Sequence, residues 1–353
     1  MAFYLRQEGL TVLEIGGLFT AGLALGSLVV GILYSEVLRR IKLRTGLYLY
    51  SALGFLQSFV FFLVPTSFGS VLVKPIIKIK ASIGKISEDA SVQHNLSKNN
   101  HREVMSRSLI IESLALVLGL ALAVLLVKWI GFELSFLAFA LISLPSVYFF
   151  FRVREDTRFK NKKKKPLPKL KPRLKLLIFS ELLYWFSLGI TGNLIITFLV
   201  TDNFEGSIVW LAVIFASLHL TIMLTTYLTQ RFFNKRNFYW SSLVGMFFLF
   251  LSAIIVIISN DLYVVLAAFI IEGIGAGIWV PSKSALVWKY TQKENRERVS
   301  GRVFGLRMSL DSLGPLAGGA LATAFGILGP FYLKSGLSVL VMAIYFYLWK
   351  KSK

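Results

Sequence analysis

The chain contains no cysteine, which excludes disulfides and thiolate metal sites. Histidine is almost as scarce. The three present, His94, His101 and His219, are scattered, so no His–carboxylate cluster suggests an intramembrane metallohydrolase. No GxxxxGK[ST] loop is present, so the chain does not itself hydrolyse ATP. Catalytic residues, a metal and a cofactor are therefore not expected, and the chain does not read as an enzyme. Acidic residues are few: 18 Asp+Glu stand against 39 Lys+Arg, a formal net charge of +21. Met1–Gly9 also lacks the basic start, apolar stretch and small-residue cleavage site of a removable leader.

Apolar residues are abundant. Hydrophobic residues make up 56% of the chain and aromatics 14%, with a mean hydropathy of +0.69, too apolar for a soluble domain. A membrane-crossing helix needs roughly 20 apolar residues at about 1.5 Å each. Spans are expected near 11–36, 47–66, 68–90, 108–128, 131–151, 176–200, 207–229, 238–259, 262–288, 308–328 and 330–349. The fold class is thus an all-α polytopic membrane bundle. Its connecting segments are too short for a separate soluble domain.

The spans fall into two similar series, five and then six. A shift of about 194 to 199 residues places Phe3 on Phe198, Arg102-Glu103 on Arg296-Glu297, Glu112-Ser113 on Asp311-Ser312 and Gly119 on Gly318. Such duplication is the plan of a secondary transporter. The division is 1–151, a linker over 152–175, and 176–353. The segment RVREDTRFKNKKKKPLPKLKPRLK (152–175) is a Pro-broken polar tether, read as attracted to anionic lipid headgroups. It lacks the interleaved aromatics that would suggest nucleic acid. If the spans alternate in direction, the basic clusters share one side with this linker, whereas Arg6, Lys128 and Lys334 lie on the other. That asymmetry places the linker and the C-terminus in the cytoplasm, in a multi-pass protein of the cell membrane.

Three segments carry a family pattern. GILYSEVLRR at 31–40 resembles the helix 2–3 loop motif G-x-L-x-D-R-x-G-R-R/K of the major facilitator superfamily. Arg39 and Arg40 stand in place, while Ser35 replaces the Asp and Leu38 the second Gly. GIGAGIWVP at 273–281, which includes Trp279, is similar to the G-x-G-x-G…P of that family's helix 4 or 10. SLGPLAGG at 312–319 resembles its G-P-x-x-G-G signature, with Gly314, Pro315, Gly318 and Gly319 in a position matching helix 11. The resemblance implies two half-bundles rocking about a central small-molecule site in a monomer. It also implies a further helix before Met1, the counterpart of residues 174–196. A start placed too late is the favoured reading, ahead of a damaged gene or a genuine eleven-helix protein.

The segment KPIIKIKASIGKISED (74–89) is unusually polar for a span. At 100° per residue, Lys74, Lys78, Lys85 and Asp89 share one face about 60° wide, while Lys80 points away, packed or snorkelling. A charge at mid-bilayer costs roughly 3 kcal/mol or more, so the stripe should face water or a partner. The 194-residue shift puts Lys78 on Glu272 and Asp89 on Lys283, with signs inverted. Because the resembled fold opposes these two helices, ion pairs Lys78–Glu272 and Asp89–Lys283 are expected to link the halves. Release of Lys78 by protonation of Glu272 would couple a proton.

Glu181, Tyr184, Trp185, Thr191 and Asn193 give the span at 176–200 a polar and aromatic face, a candidate substrate wall, with Glu181 near its hydrated end. Glu112 and Asp311 occupy matching places near helix starts, and Arg307 sits one turn before Asp311; both acids read as structural or gating. The glycines at 314, 318 and 319 are expected to permit close packing, with Pro315 removing a donor. His219 reads as a core residue. The lysine stripe favours an anionic or amphipathic organic solute. A proton-driven drug or metabolite exporter is the first alternative. A non-transporting sensor or truncated relative is the second. A coupling proton or other ion is left open.

Overall fold

In lipid every backbone N–H and C=O must be satisfied within the protein, so apolar runs of this length become helices. The computed structural model describes residues 1–36, 43–95, 101–151, 170–232, 237–291 and 296–352, and all of its elements are helical. Before the linker come α1 (Ala2–Gln7), α2 (Val12–Glu36), α3 (Leu43–Leu63), α4 (Ser67–Asn95), α5 (His101–Ser143) and α6 (Pro145–Phe151). After it come α7 (Pro172–Ile190), α8 (Asn193–Phe198), α9 (Ile208–Phe232), α10 (Phe238–Ile257), α11 (Leu262–Tyr290), α12 (Arg296–Phe325) and α13 (Gly329–Lys350). Arg39, Arg40 and most of the 152–175 linker lie outside the described residues, as do the side chains of Lys85 and Asp89.

Two expected spans, 108–128 and 131–151, meet at Gly131, whose φ of 79° breaks the helical path of α5. A residue with a Cβ is strained there, and glycine is not. The arm before Gly131 approaches α9, and the arm after it packs on α3. Phe61 and Phe136 meet with ring centroids 4.5 Å apart, and the Ser51 and Ser146 hydroxyls are 2.5 Å apart.

The span expected at 176–200 is not one helix. It stops at Ile190, passes through Thr191-Gly192, restarts as α8 and ends in a π-helical turn over Leu199–Asn203. The interruption lies where α12 presses on it. A Cβ on Gly314 would stand 2.4 Å from the Gly189 carbonyl carbon, and one on Gly318 would stand 2.2 Å from the Ile190 oxygen. Here the glycines meet backbone with backbone, as their spacing predicts.

Among the described residues, eight segments are long and apolar enough to cross a membrane, one of them (Ser106–Ser143) holding both arms of α5. The spans at 68–90 and 308–328 fall in α4 and α12, which are outside those eight. Both are long helices carrying cations or an acid within the expected span. Polar content, rather than length, sets them apart.

The outer surface is a belt of exposed large apolar side chains such as Leu28, Phe68, Ile111 and Phe325, with Trp129 and Tyr263 at helix ends. Such a surface requires hydrocarbon around it. Two seams join helices from either side of the linker: α2 against α12, and α5 against α9. A second layer of order comes from α11. Gly273 and Gly277 let it approach α9, while Gly275 lets it approach Gly245 on α10.

Candidate functional site

The α2–α12 seam leads from the α1 end to a charged cluster near mid-helix. At the α1 end, Arg6 forms an ion pair with Asp202 at 3.0 Å, and Leu5, Ile15 and Phe19 share a core with Leu194 and Phe198. Further in, the Thr20 hydroxyl accepts a hydrogen bond from the Leu316 amide at 3.0 Å, next to Pro315 in α12. Proline perturbs the ladder around it, so a hydroxyl from the neighbouring helix is well placed to serve a freed amide. Ser27 and Ser312 then face each other at 2.9 Å.

Beside Ser312 the seam becomes electrostatic. Gly22 and Gly26 bring α2 so close to α4 that a Cβ on Gly26 would lie 2.8 Å from the Lys78 Cβ. Lys78 is thereby turned towards α12. Its Nζ donates to Asp311 Oδ2 at 2.7 Å and to the Met308 carbonyl at 3.2 Å. The Lys78 side chain is 4% exposed and that of Asp311 39% exposed. A carboxylate that exposed within a helix interior cannot border lipid, so its open side borders water.

On either side of this pair a cation rests on an aromatic ring. Lys74 Nζ lies 3.5 Å from the Phe19 ring centroid, and the Arg307 Cζ lies 3.0 Å from that of Trp185. Among the described residues, neither cation has a carboxylate at ion-pair distance. Glu181, Asp311 and Glu112 are the acids in electrostatic reach of Arg307. Lys80 points away as expected, over Tyr50 at 5.0 Å.

The expected Lys78–Glu272 pair is not formed, and the Asp89–Lys283 pair falls outside the described residues. Lys78 bonds Asp311 rather than Glu272. Glu272 is buried and bonded to Lys334 at 2.7 Å, between α11 and α13. Lys283 donates to Glu181, joining α11 to α7. For Lys78 the observed partner lies one helix beyond the residue that duplication selects, on α12 instead of α11. Glu181 is therefore a buried ion-pair member, not a hydrated end residue. Lys334, placed outside from the sequence, lies inside the protein because a buried acid receives it. Protonating Glu272 would free Lys334, not Lys78.

Aromatic residues link these pairs. Lys283 Nζ lies 5.3 Å from the Trp279 ring, Trp279 contacts Tyr184 at 4.1 Å between centroids, and Tyr184 contacts Trp185 at 5.7 Å. Tyr184 and Trp279 are fully buried in a core with Met246, Leu249 and Tyr345, so their place is behind the charged cluster. Asn193 is exposed at the head of α8, away from this group, and Thr191 is buried with its hydroxyl on the Ser187 carbonyl. Glu112 is exposed on α5. His219 is half-buried in α9. Phe19, Thr20, Met308 and Lys334 were not indicated by the sequence reading. The sequence marks none of the four as part of a site, and Lys334, near the start of α13, is drawn inward only by buried Glu272.

Comparison with known proteins agrees with this architecture. The family model described as Major Facilitator Superfamily matches residues 1–301 and 177–353. A methylenomycin A resistance protein from Streptomyces coelicolor is 30% identical over 131 residues, 37% of this chain. The chain spans about a quarter (26%) of that relative's length. Among solved structures, the human organic anion transporter MFSD10 (TETRAN) is similar with a TM-score of 0.68 at 17% identity, covering 95% of this chain and 83% of that one. The nucleoside transporter NupG gives 0.66 at 12%, covering 98% and 93%. A bacterial homologue of the iron transporter ferroportin gives 0.64 at 16%, covering 99% and 90%. Those identities show a shared fold, and the family match covers nearly the whole sequence: this multi-pass membrane protein belongs to the major facilitator superfamily, a family of transporters of small molecules, not enzymes.

Proposed function

We propose that the chain is a secondary active transporter carrying a small organic anion with an apolar or aromatic body. Two half-bundles, residues 1–151 and 176–353, rock about the charged cluster, joined by the linker at 152–175. The observation that carries this reading is the pair of cations resting on rings. Lys74 on Phe19 and Arg307 on Trp185 flank the ion pair Lys78–Asp311. Stacking uses the face of a guanidinium and leaves its N–H edge free, and that edge fits a carboxylate bidentately. Trp185, which is partly exposed, offers apolar surface to the body of the same solute.

The Lys78–Asp311 bond joins a helix before the linker to one after it. An incoming carboxylate that takes Lys78 from Asp311 loosens that connection, so binding and rocking are linked. Asp311, once released, can take a coupling proton or accept another ion. The protein works as a monomer in the cell membrane, with the linker and C-terminus cytoplasmic and the linker on anionic headgroups. Similarity to an organic anion transporter fits this substrate class. Similarity to an antibiotic-resistance protein favours a second reading, outward transport of an amphipathic drug or metabolite by the same site.

Counterflow in proteoliposomes tests the reading with labelled aromatic carboxylates, amines and nucleosides as probes. Carboxylates are expected to exchange, and Arg307→Gln to weaken their apparent affinity about tenfold, the cost of a lost charge-assisted contact. Transport restricted to amines or neutral solutes would overturn it.

A further inference from the structure

A second basic feature lies at the other seam, away from the central cluster. Where α5 meets α9 near the end bearing the basic loops, Arg107, Ile110, Tyr227, Gln230 and Arg231 line an open groove of about 400 Å³. Its surroundings identify the medium it faces. At 100° per residue, Arg107 shares a face of α5 about 60° wide with Ile111, Leu114 and Leu118, all exposed. On α9, Arg231 continues an exposed line through Leu220, Leu224 and Tyr227. Only 6% of the apolar window of Ser106–Ser143 is buried in the protein. Stripes of that kind face hydrocarbon. Each ends, at the same edge of the bundle, in an arginine.

We infer that this groove binds an anionic phospholipid, its phosphate held between Arg107 and Arg231 and its acyl chains lying on the two apolar stripes. Arg107 gives one N–H to Glu103 at 2.6 Å, and a guanidinium has five. The remaining donors form the planar fork that suits phosphate oxygens. The Tyr227 hydroxyl and the Gln230 amide add neutral donors beside them. A zwitterionic choline headgroup brings its cation against two arginines, so a lipid of net negative charge is preferred. A groove with arginines alone would serve any phosphate. The adjoining apolar stripes select one that carries chains. Because α5 precedes the linker and α9 follows it, one bound lipid touches both halves of the chain and strengthens their contact at this end.

The test measures thermal unfolding and native mass of the detergent-purified full chain, titrated with phosphatidylglycerol, phosphatidylcholine or inorganic phosphate. Phosphatidylglycerol is expected to raise the unfolding temperature and to remain as a bound adduct. Its apparent affinity should fall about tenfold in Arg107→Gln and in Arg231→Gln, as expected for loss of a charge-assisted hydrogen bond. Lys350→Gln, which removes one exposed charge from the same end on α13, should leave it unchanged. Arg107→Lys keeps the charge but not the fork and should lie between wild type and Arg107→Gln. Equal binding by the wild type and both Gln variants would overturn the inference. So would equal stabilisation by phosphatidylcholine, or by inorganic phosphate alone.

Discussion

Among the described residues, two buried ion pairs join helices that all follow the linker, whereas the buried lysine before it pairs across a seam. Glu181 with Lys283 ties α7 to α11, and Glu272 with Lys334 ties α11 to α13. On α4, by contrast, Lys74 and Lys80 rest on aromatic rings, and Lys78 takes its counter-charge from α12, across the seam. An ion pair within one rigid group persists whatever that group does. One that spans a seam exists only in arrangements that close the seam. The same chemistry thus serves cohesion in the second set and leaves the first set dependent on its neighbour.

The contrast can be broken most directly at Glu272. Glu272→Gln leaves Lys334 charged and buried, and an uncompensated buried charge costs about 3–5 kcal/mol. Chemical denaturation in detergent should show that loss. The double replacement Glu272→Leu with Lys334→Met should restore most of it, since a well-packed apolar pair can match a buried ion pair. Gly314→Ala comes next, because its Cβ meets backbone that has no side chain to move aside; about 1–3 kcal/mol of destabilisation is expected by the same measurement.

Asp311→Asn should cost less, about 1–2 kcal/mol, because Asp311 is partly exposed and Lys78 keeps the Met308 carbonyl. Its main effect should be on the seam. The chain has no native cysteine, so a single cysteine at Ser27 reports seam opening directly. Faster alkylation there in Asp311→Asn than in the unsubstituted background is the expected result. A stability loss as large as that of Glu272→Gln, with unchanged labelling, would erase the distinction between the two sets. Arg6→Gln should have the smallest effect, below about 1 kcal/mol, because the Arg6–Asp202 pair is exposed on both sides.

Much of the architecture was legible in the sequence. Apolar runs fixed the helices because lipid allows few alternatives, and the glycines at 314 and 318 mark close packing because nothing else fits there. The polar face of 74–89 correctly marked Lys78 as inward. Its partner was another matter. Duplication relates Lys78 to Glu272 by an axis, but an ion pair requires contact, and contact depends on how far the halves are rotated and which helix edge is nearest. Asp311 sits on the adjacent helix, where Gly22 and Gly26 let α2 and α4 converge on it. Those glycines are unremarkable in a linear reading. Likewise Lys334 lies near a helix start, and only the burial of Glu272 decides whether it turns outward or in.

The bare stretch of α12 has a mechanical meaning. Gly319 rests on the main chain at Val12, and Gly16 on the carbonyl of Pro315, so at these two points α2 and α12 touch through peptide planes instead of interlocked side chains. Interlocked side chains act as teeth, and sliding past them requires rotamers to change one after another. Peptide planes have no teeth. Two helices in contact this way form something close to a plain bearing, firm against separation along its length and low in friction across it. Adding one methyl group at that surface is then a brake as well as a wedge, slowing movement even where the resting structure tolerates it.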